Sequence, residues 1–528
     1  SIYIYKYYVY SAFTISVKTL YLNFQRYSFF VYLKKFFLIL HKLFKLSINM
    51  TRYTLITILL LAVSMPSSAL IKLPALISDN MVLQQKTDAR IWGMATPCSI
   101  IKVAPSWTKE KFTTTADDAG KWAVKIPTPA TSMEKCSITI ADRDSKKTIG
   151  NVLIGEVWYC SGQSNMEMPM RGYKHQPVDE GLDMILQARE DKPIRMFTVG
   201  KAVSSTPVDD CDGRWGLNTP GEVAECSATA YFFADELNQA LGGNVPVGII
   251  ISAWGGTTIQ PWLSPELAEA EGLDTSGLQH PVDRSTPDVL LMPAVLYNAM
   301  AAPVLPYTVK GILWYQGESN ISDPELYERL MPRYVESMRK GFALGDIPFY
   351  YAQIAPHDGY GDLSADVPRL RLAQSHLMKQ IPNCGMAVTL DIGNRYCIHP
   401  TDKRDVGKRL AYWALAKDYG INSYAWSGPV FDRMEWDGRR ALLYFTGTGG
   451  GVSPLEQELD GFEAAGDDGI YHPARAIVEC ETGTLSVYCA EAGEIKKVRY
   501  AHSACPEASL FDNFGLPASP FTTSGELE

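Results

Sequence analysis

From residue 152 to about 420 the apolar positions follow two periods in turn. Continuous runs rich in β-branched and aromatic residues at 152–159, 195–198, 245–252, 309–315, 348–354 and 386–390 predict buried strands. Between them, amphipathic spacing predicts helices over 227–240, 292–301, 325–342, 368–380 and 401–419. Such alternation predicts an α/β domain built on a parallel, doubly wound sheet. Residues 70–150 are different, with short β-like runs at 89–92, 99–103, 111–115, 122–126 and 136–140 divided by Asp, Gly, Pro and Ser turns. They predict a small antiparallel β domain. From 422 to 528 short strands return between Gly-rich turns, so the expected domains are 70–150, 151–421 and 422–528.

The first 69 residues lie outside that pattern. Positions 1–49 hold no Met, Asp or Glu, and Met50 precedes Arg52, an apolar stretch over 53–63 and the small residues Ser67, Ser68 and Ala69. This predicts a signal peptide over 50–69, non-native upstream sequence over 1–49, and a secreted or periplasmic mature chain without stable membrane insertion. The competing view is a membrane-anchoring segment at 27–46, which Lys34, Lys35, His41, Lys42 and Lys45 interrupt. The 528 residues carry 49 Lys and Arg against 58 Asp and Glu, and eight of the basic residues lie before position 70. The remaining acidic excess argues against a nucleic-acid partner. The ten cysteines form no Cys-x-x-Cys pair, and no His-Glu-x-x-His occurs, so no metal or other cofactor is expected. Oxidising surroundings would permit disulfides without assigning them. The oligomeric state is open.

Candidate chemistry gathers where the predicted strands end. Gly162-Gln163-Ser164-Asn165 follows the first, Trp254-Gly255-Gly256-Thr257 the third, Gln316-Gly317-Glu318-Ser319-Asn320 the fourth, and Asp391 with Ile398-His399-Pro400 the sixth. Open α/β sheets build their ligand crevices at that edge. Acyl transfer needs a hydroxyl nucleophile, a base and donors for a developing oxyanion, and these loops offer each type.

The segments Gly155-Glu156-Val157-Trp158-Tyr159-Cys160-Ser161-Gly162-Gln163-Ser164-Asn165-Met166-Glu167, Trp314-Tyr315-Gln316-Gly317-Glu318-Ser319-Asn320 and Ile398-His399-Pro400 resemble the sialate O-acetylesterase family of SGNH hydrolases. The resemblance runs from about 70 to 523 and includes the ending Asp512-Asn513-Phe514-Gly515-Leu516-Pro517. It implies a flavodoxin-like SGNH hydrolase domain with β-rich accessory regions on both sides. The implied activity is removal of O-acetyl groups from sugars, typically the 9-O-acetyl of sialic acid, or from acetylated xylan or another plant polysaccharide. Carried over by position, Ser164 is the nucleophile and its N–H one oxyanion donor. Gly256 is the second donor with Gly255 as alternative, and Gln316 the third with Asn320 behind it. His399 is the general base. Asn165, Glu318, Asn320, Trp254 and Arg371 are expected to bind substrate or support the site. Arg371 and Gln374 match a recurrent helix position of the family.

One position departs from the superfamily pattern. Three residues before His399, where many SGNH enzymes carry an Asp, stands Tyr396. Asp391 is the expected replacement as His orienter, with Asp402 or a backbone carbonyl as other choices. Trp254 and Trp262 flank the Gly-Gly loop and are candidates to stack on a sugar face. A sialate carboxylate calls for an arginine fork, for which Arg171 and Arg371 are the candidates. The alternative of another class is a non-catalytic carbohydrate-binding protein on a hydrolase scaffold.

Overall fold

The computed structural model describes residues 70–527 apart from 449, together with the isolated Leu38. The expectations for 1–49 and for the signal peptide at 50–69 lie outside the described residues. Ala69–Glu528 forms one compact unit. No helix among the described residues is long and apolar enough to cross a membrane.

Six strands build the centre: β1 (Lys146–Gly162), β2 (Ile194–Thr198), β3 (Val247–Ala253), β4 (Gly311–Tyr315), β5 (Phe349–Ala352) and β6 (Cys384–Ala387). They pair in the order β6-β5-β4-β1-β3-β2, all parallel, and the two-residue strand Trp215–Gly216 adds an antiparallel edge beside β2. The helices that bear on the site are α1 (Ser164–Glu167), α2 (Ala228–Ala240), α3 (Pro324–Phe342), α4 (Asp366–Gln380) and α5 (Arg404–Asp418). Successive strand residues point to opposite faces, and both faces are covered. Trp158 meets Phe233 of α2 at 5.0 Å between ring centroids, and Tyr350 stacks on Trp413 of α5 at 6.3 Å. On the other face Tyr159 meets Phe342 of α3 at 5.6 Å and Trp314 meets Tyr334 at 4.6 Å. Buried on both faces, the strands read as unbroken apolar runs.

β1 is longer than its sequence pattern suggests. Its first half pairs with Val82–Gln84 and Ser132–Ala141 of the N-terminal β region, and its second half with β3 and β4. The strand passes through Gly150 without a break. The C-terminal region adds a five-stranded antiparallel sheet and a second, four-stranded one. Phe431 and Phe521 stack at 5.0 Å between the rings to join the two. The helix expected over 292–301 is reduced to a π-turn at Tyr297–Ala301. Pro293 disfavours helix in its neighbour, and Ala294 takes a left-handed φ of 67°.

Chain order places the site. After β1 the chain moves to the β3-β2 side, and from β4 onward it moves to the β5-β6 side. A crevice therefore opens over the carboxyl ends of β1 and β4. Gly162, the last residue of β1, has φ 138°, and a Cβ there would lie 2.1 Å from the Tyr315 carbonyl oxygen at the end of β4. No side chain fits. Gly162→Ala is expected to lower stability by about 3 kcal/mol or more through backbone strain and overpacking. Urea unfolding checks this: an unchanged midpoint would mean that the strand ends separate at little cost.

Candidate active site

Ser164 opens α1 directly after β1, half-buried at the crevice. Gln163 holds the turn, its N–H donating to Tyr315 O at 2.9 Å while its Oε1 accepts from Gly317 N at 3.2 Å and Ser319 N at 3.3 Å. The loop after β3 comes equally close. A Cβ on Gly255 would stand 3.1 Å from Ser164 Cβ, and Gly256 turns away with φ 76°. Gly255 N donates to Glu167 Oε2 at 2.6 Å, whereas the N–H groups of Ser164 and Gly256 meet no partner among the described residues.

Asn165, fully buried, ties the serine loop to the histidine loop. Its Nδ2 donates to Glu318 Oε1 and, at 3.1 Å, to Ile398 O, the carbonyl before His399. Its Oδ1 accepts from Lys403 Nζ at 2.8 Å, and Lys403 also donates to Pro400 O at 2.6 Å, just after His399. Both neighbours of His399 are thereby clamped. Burial pushes the Lys403 ammonium down to about 7, against the pull of Glu318, and burial holds the Glu318 carboxyl above its usual range. Lys403 was missed by the sequence reading. A lysine at the start of α5 opposes the helix dipole, and that misfit was the available signal.

His399 is oriented by an unexpected side chain. Its Nδ1 lies 2.7 Å from Gln176 Oε1, on a loop 223 residues away in sequence, and no pattern marked that loop. Tyr173 of the same loop donates its hydroxyl to Ser164 O at 3.3 Å and packs its edge on the His399 ring at 5.2 Å. Burial, reinforced by the Lys403 charge, pushes His399 down to about 4. The imidazole is neutral near pH 7.

Several expected roles need correction. Asp391 does not reach His399: it forms a two-pronged pair with Arg409, both contacts at 2.6 Å, and Arg409 also donates to Val388 O at 2.7 Å. Asp402 caps α5 by accepting from Asp405 N at 2.9 Å, and Tyr396 is 90 % exposed. Gln316 is fully buried, with its amide protons donated to Thr257 O at 3.2 Å and Asn320 Oδ1 at 2.7 Å. It has none left for an oxyanion. Asn320 is committed as well, accepting from Ile259 N and donating to Gln260 Oε1. These amides fasten the third-strand and fourth-strand loops together. Arg371 is 0 % exposed and donates to Ile354 O, Ser503 O and Ala504 O, so it joins the C-terminal region to the sheet. Arg171 pairs with Glu225 at 2.6 Å. Trp262 is core, edge-on to Trp314, while Trp254 remains partly exposed.

Among the described residues no group of three or more His, Cys, Asp or Glu side chains could hold a metal ion, and all ten cysteines are free. The constellation is a hydroxyl, a neutral imidazole and two open N–H groups, the equipment of acyl transfer.

Residues 154–416 match the family described as carbohydrate esterase, sialic acid-specific acetylesterase. A carbohydrate acetylesterase from Xanthomonas citri has a similar solved structure, with TM-score 0.77 and 33 % identity over 86 % of this chain and 99 % of that one. The chain belongs to the sialate O-acetylesterase family of carbohydrate esterases. The sialate O-acetylesterase of Homo sapiens is 29 % identical over 410 residues, spanning 70 % of this chain and 75 % of the relative. That of Mus musculus is 28 % identical over 426 residues. This chain is therefore an ester hydrolase, and the crevice over β1 and β4 carries its candidate machinery.

The Asp391–Arg409 pair is expected to act on stability alone. Asp391→Ala strands a nearly buried guanidinium and should cost about 3 kcal/mol, while esterase kcat in folded protein stays within a few-fold. A kcat loss of several orders of magnitude without unfolding would return Asp391 to the role of His399 orienter.

Proposed function

We propose that this esterase removes O-acetyl groups from sugars, the 9-O-acetyl of sialic acid foremost, through an acetyl-enzyme on Ser164. The observation that carries this reading is the meeting of the serine and histidine loops, where Tyr173 donates to Ser164 O and packs on the His399 ring, beside the open Gly256 N–H. The alternating α/β core supports a doubly wound, flavodoxin-like SGNH hydrolase domain over 151–421, flanked by β-rich regions at 70–150 and 422–528. A secreted or periplasmic location is the matching expectation for the chain after residue 69.

In the proposed reaction His399 Nε2 takes the Ser164 proton as Oγ attacks the acetyl carbonyl. The oxyanion that forms is met by the N–H groups of Ser164 and Gly256. His399 then returns the proton to the departing sugar oxygen, and the C–O bond to the sugar breaks. Water, deprotonated by the same nitrogen, then attacks the acetyl carbonyl, the C–Oγ bond breaks to release acetate, and His399 returns the proton to Ser164 Oγ. Gln176 Oε1 is an acceptor, so it favours the tautomer with hydrogen on Nδ1 and the lone pair on Nε2. An amide does this without the charge that an Asp would supply. It is a positioning residue, not a proton carrier.

Ser164→Ala is expected to reduce hydrolysis of p-nitrophenyl acetate by roughly a thousandfold or more. Equal rates for the two proteins would sink the esterase mechanism and leave glycan binding without turnover.

Because the base acts when neutral and His399 titrates at about 4, kcat/KM should hold steady as pH falls from 7 to 5 and drop only near 4. A fall centred near 6.5, the ordinary histidine value, would contradict the buried, Lys403-facing imidazole. Gln176→Ala should lower kcat by roughly tenfold to a hundredfold with little change in KM, from lost orientation. Gln176→Glu should restore kcat and move the acid limb upward, since a carboxylate favours imidazolium. An unmoved limb in Gln176→Glu would assign the loop a purely structural role.

A further inference from the structure

Of the two arginines expected to recognise a sugar carboxylate, Arg371 is buried against backbone carbonyls and Arg171 is paired with Glu225, whereas a third stands over the indole of Trp254, next in sequence to the Gly255 that abuts Ser164. Arg284 holds its guanidinium carbon 5.1 Å from the Trp254 ring centroid, and Trp254 immediately precedes Gly255, which abuts Ser164. One Arg284 nitrogen donates to the Lys201 carbonyl oxygen. The Lys201 ammonium stands over the same indole at 5.4 Å.

The charges in this cluster do not cancel evenly. Lys201 is paired with Glu167 Oε1 at 2.6 Å, and the other oxygen of Glu167 is held by Gly255 N. Asp283, next in sequence to Arg284, turns its carboxylate onto Ser285 N and Oγ at 2.7 and 2.6 Å. No carboxylate among the described residues pairs with Arg284, which is exposed to solvent. Its stack on Trp254 and its bond to Lys201 orient the planar fork and leave other N–H groups free. A fixed guanidinium with free donors suits a bidentate anion, above all a carboxylate.

We propose that Arg284, stacked on Trp254 at the rim of the crevice, is the specificity-determining residue of this esterase and recognises the carboxylate of an O-acetylated sugar acid. This rests on the esterase reading of Ser164 and names the substrate class of the same site. Trp254 then has two roles. Its indole positions the guanidinium, and its uncovered part offers an apolar surface to the sugar ring. A neutral acetylated polysaccharide gains nothing from Arg284.

The test compares three esters on the full chain: an O-acetylated sialic acid, the methyl ester of that same sugar, and p-nitrophenyl acetate. Arg284→Ala should lower kcat/KM for the free acid by about tenfold to a hundredfold, the range for losing hydrogen bonds to a charged group. It should leave p-nitrophenyl acetate and the methyl ester within about twofold, on the same principle that neither presents the charged partner. Arg284→Lys should recover part of the loss, and its residual preference should weaken with salt. An equal drop on all three esters, or no drop on the acid, would overturn the proposal. Calorimetry on Ser164→Ala protein keeps the two readings apart, because binding of free sialic acid does not require turnover. Binding that is lost on adding Arg284→Ala supports the subsite even if hydrolysis fails, and binding indifferent to Arg284 refutes it even if hydrolysis proceeds.

Discussion

Asn165, in the serine loop, sits where that loop meets the fourth-strand loop and the histidine loop, and its buried amide makes hydrogen bonds to both of the others. Nδ2 reaches Glu318 and Ile398 O, Oδ1 receives Lys403, and its backbone carbonyl accepts from Thr229 Oγ1 at 3.0 Å. A buried amide left unmatched costs about 1–3 kcal/mol per lost partner. Loops that drifted apart would pay that several times over. Such a network holds the candidate site residues from distant parts of the chain at fixed spacing, and it also explains how a buried lysine is tolerated, since Lys403 donates to two oxygens.

The sheet beneath is stiff enough to carry the network. Trp158, Tyr159, Trp314, Tyr315, Tyr350 and Tyr351 are all fully buried, alternating between the two helix-covered faces. β1 extends this rigidity beyond the catalytic sheet because one continuous strand serves two sheets. Movement of the N-terminal β region would have to bend the strand that ends two residues before Ser164. The C-terminal region is tied in from the other side through Arg371, whose guanidinium spans from Ile354 to Ser503 and Ala504. The accessory regions thus brace the site.

The histidine environment follows from the same packing. Without a carboxylate on Nδ1, the opposing pull of Glu167 does not outweigh burial and the Lys403 charge, and His399 is a weak base that stays unprotonated near pH 7. An amide at Nδ1 secures the tautomer but stabilises imidazolium less than an Asp would. The acidic group that survives nearby, Glu167, is shared between Lys201 and Gly255. The proposed mechanism therefore rests on alignment and on N–H donors more than on a buried negative charge.

Local pattern determined the α/β core and its strand-end loops, because continuous apolar runs and helical spacing report burial residue by residue. Ser164, Gly256 and His399 drew attention as candidates from the strand-end motifs and the family resemblance. The partners of those residues were not legible. Gln176 lies 223 positions from His399 and Lys403 lies 238 from Asn165, so their pairing exists only after the chain has closed on itself. Asp391 and Arg371 looked functional from sequence, yet tertiary contacts assigned them to Arg409 and to backbone carbonyls. A charged side chain acts on whatever the fold brings within hydrogen-bond reach, and sequence position does not reveal that distance.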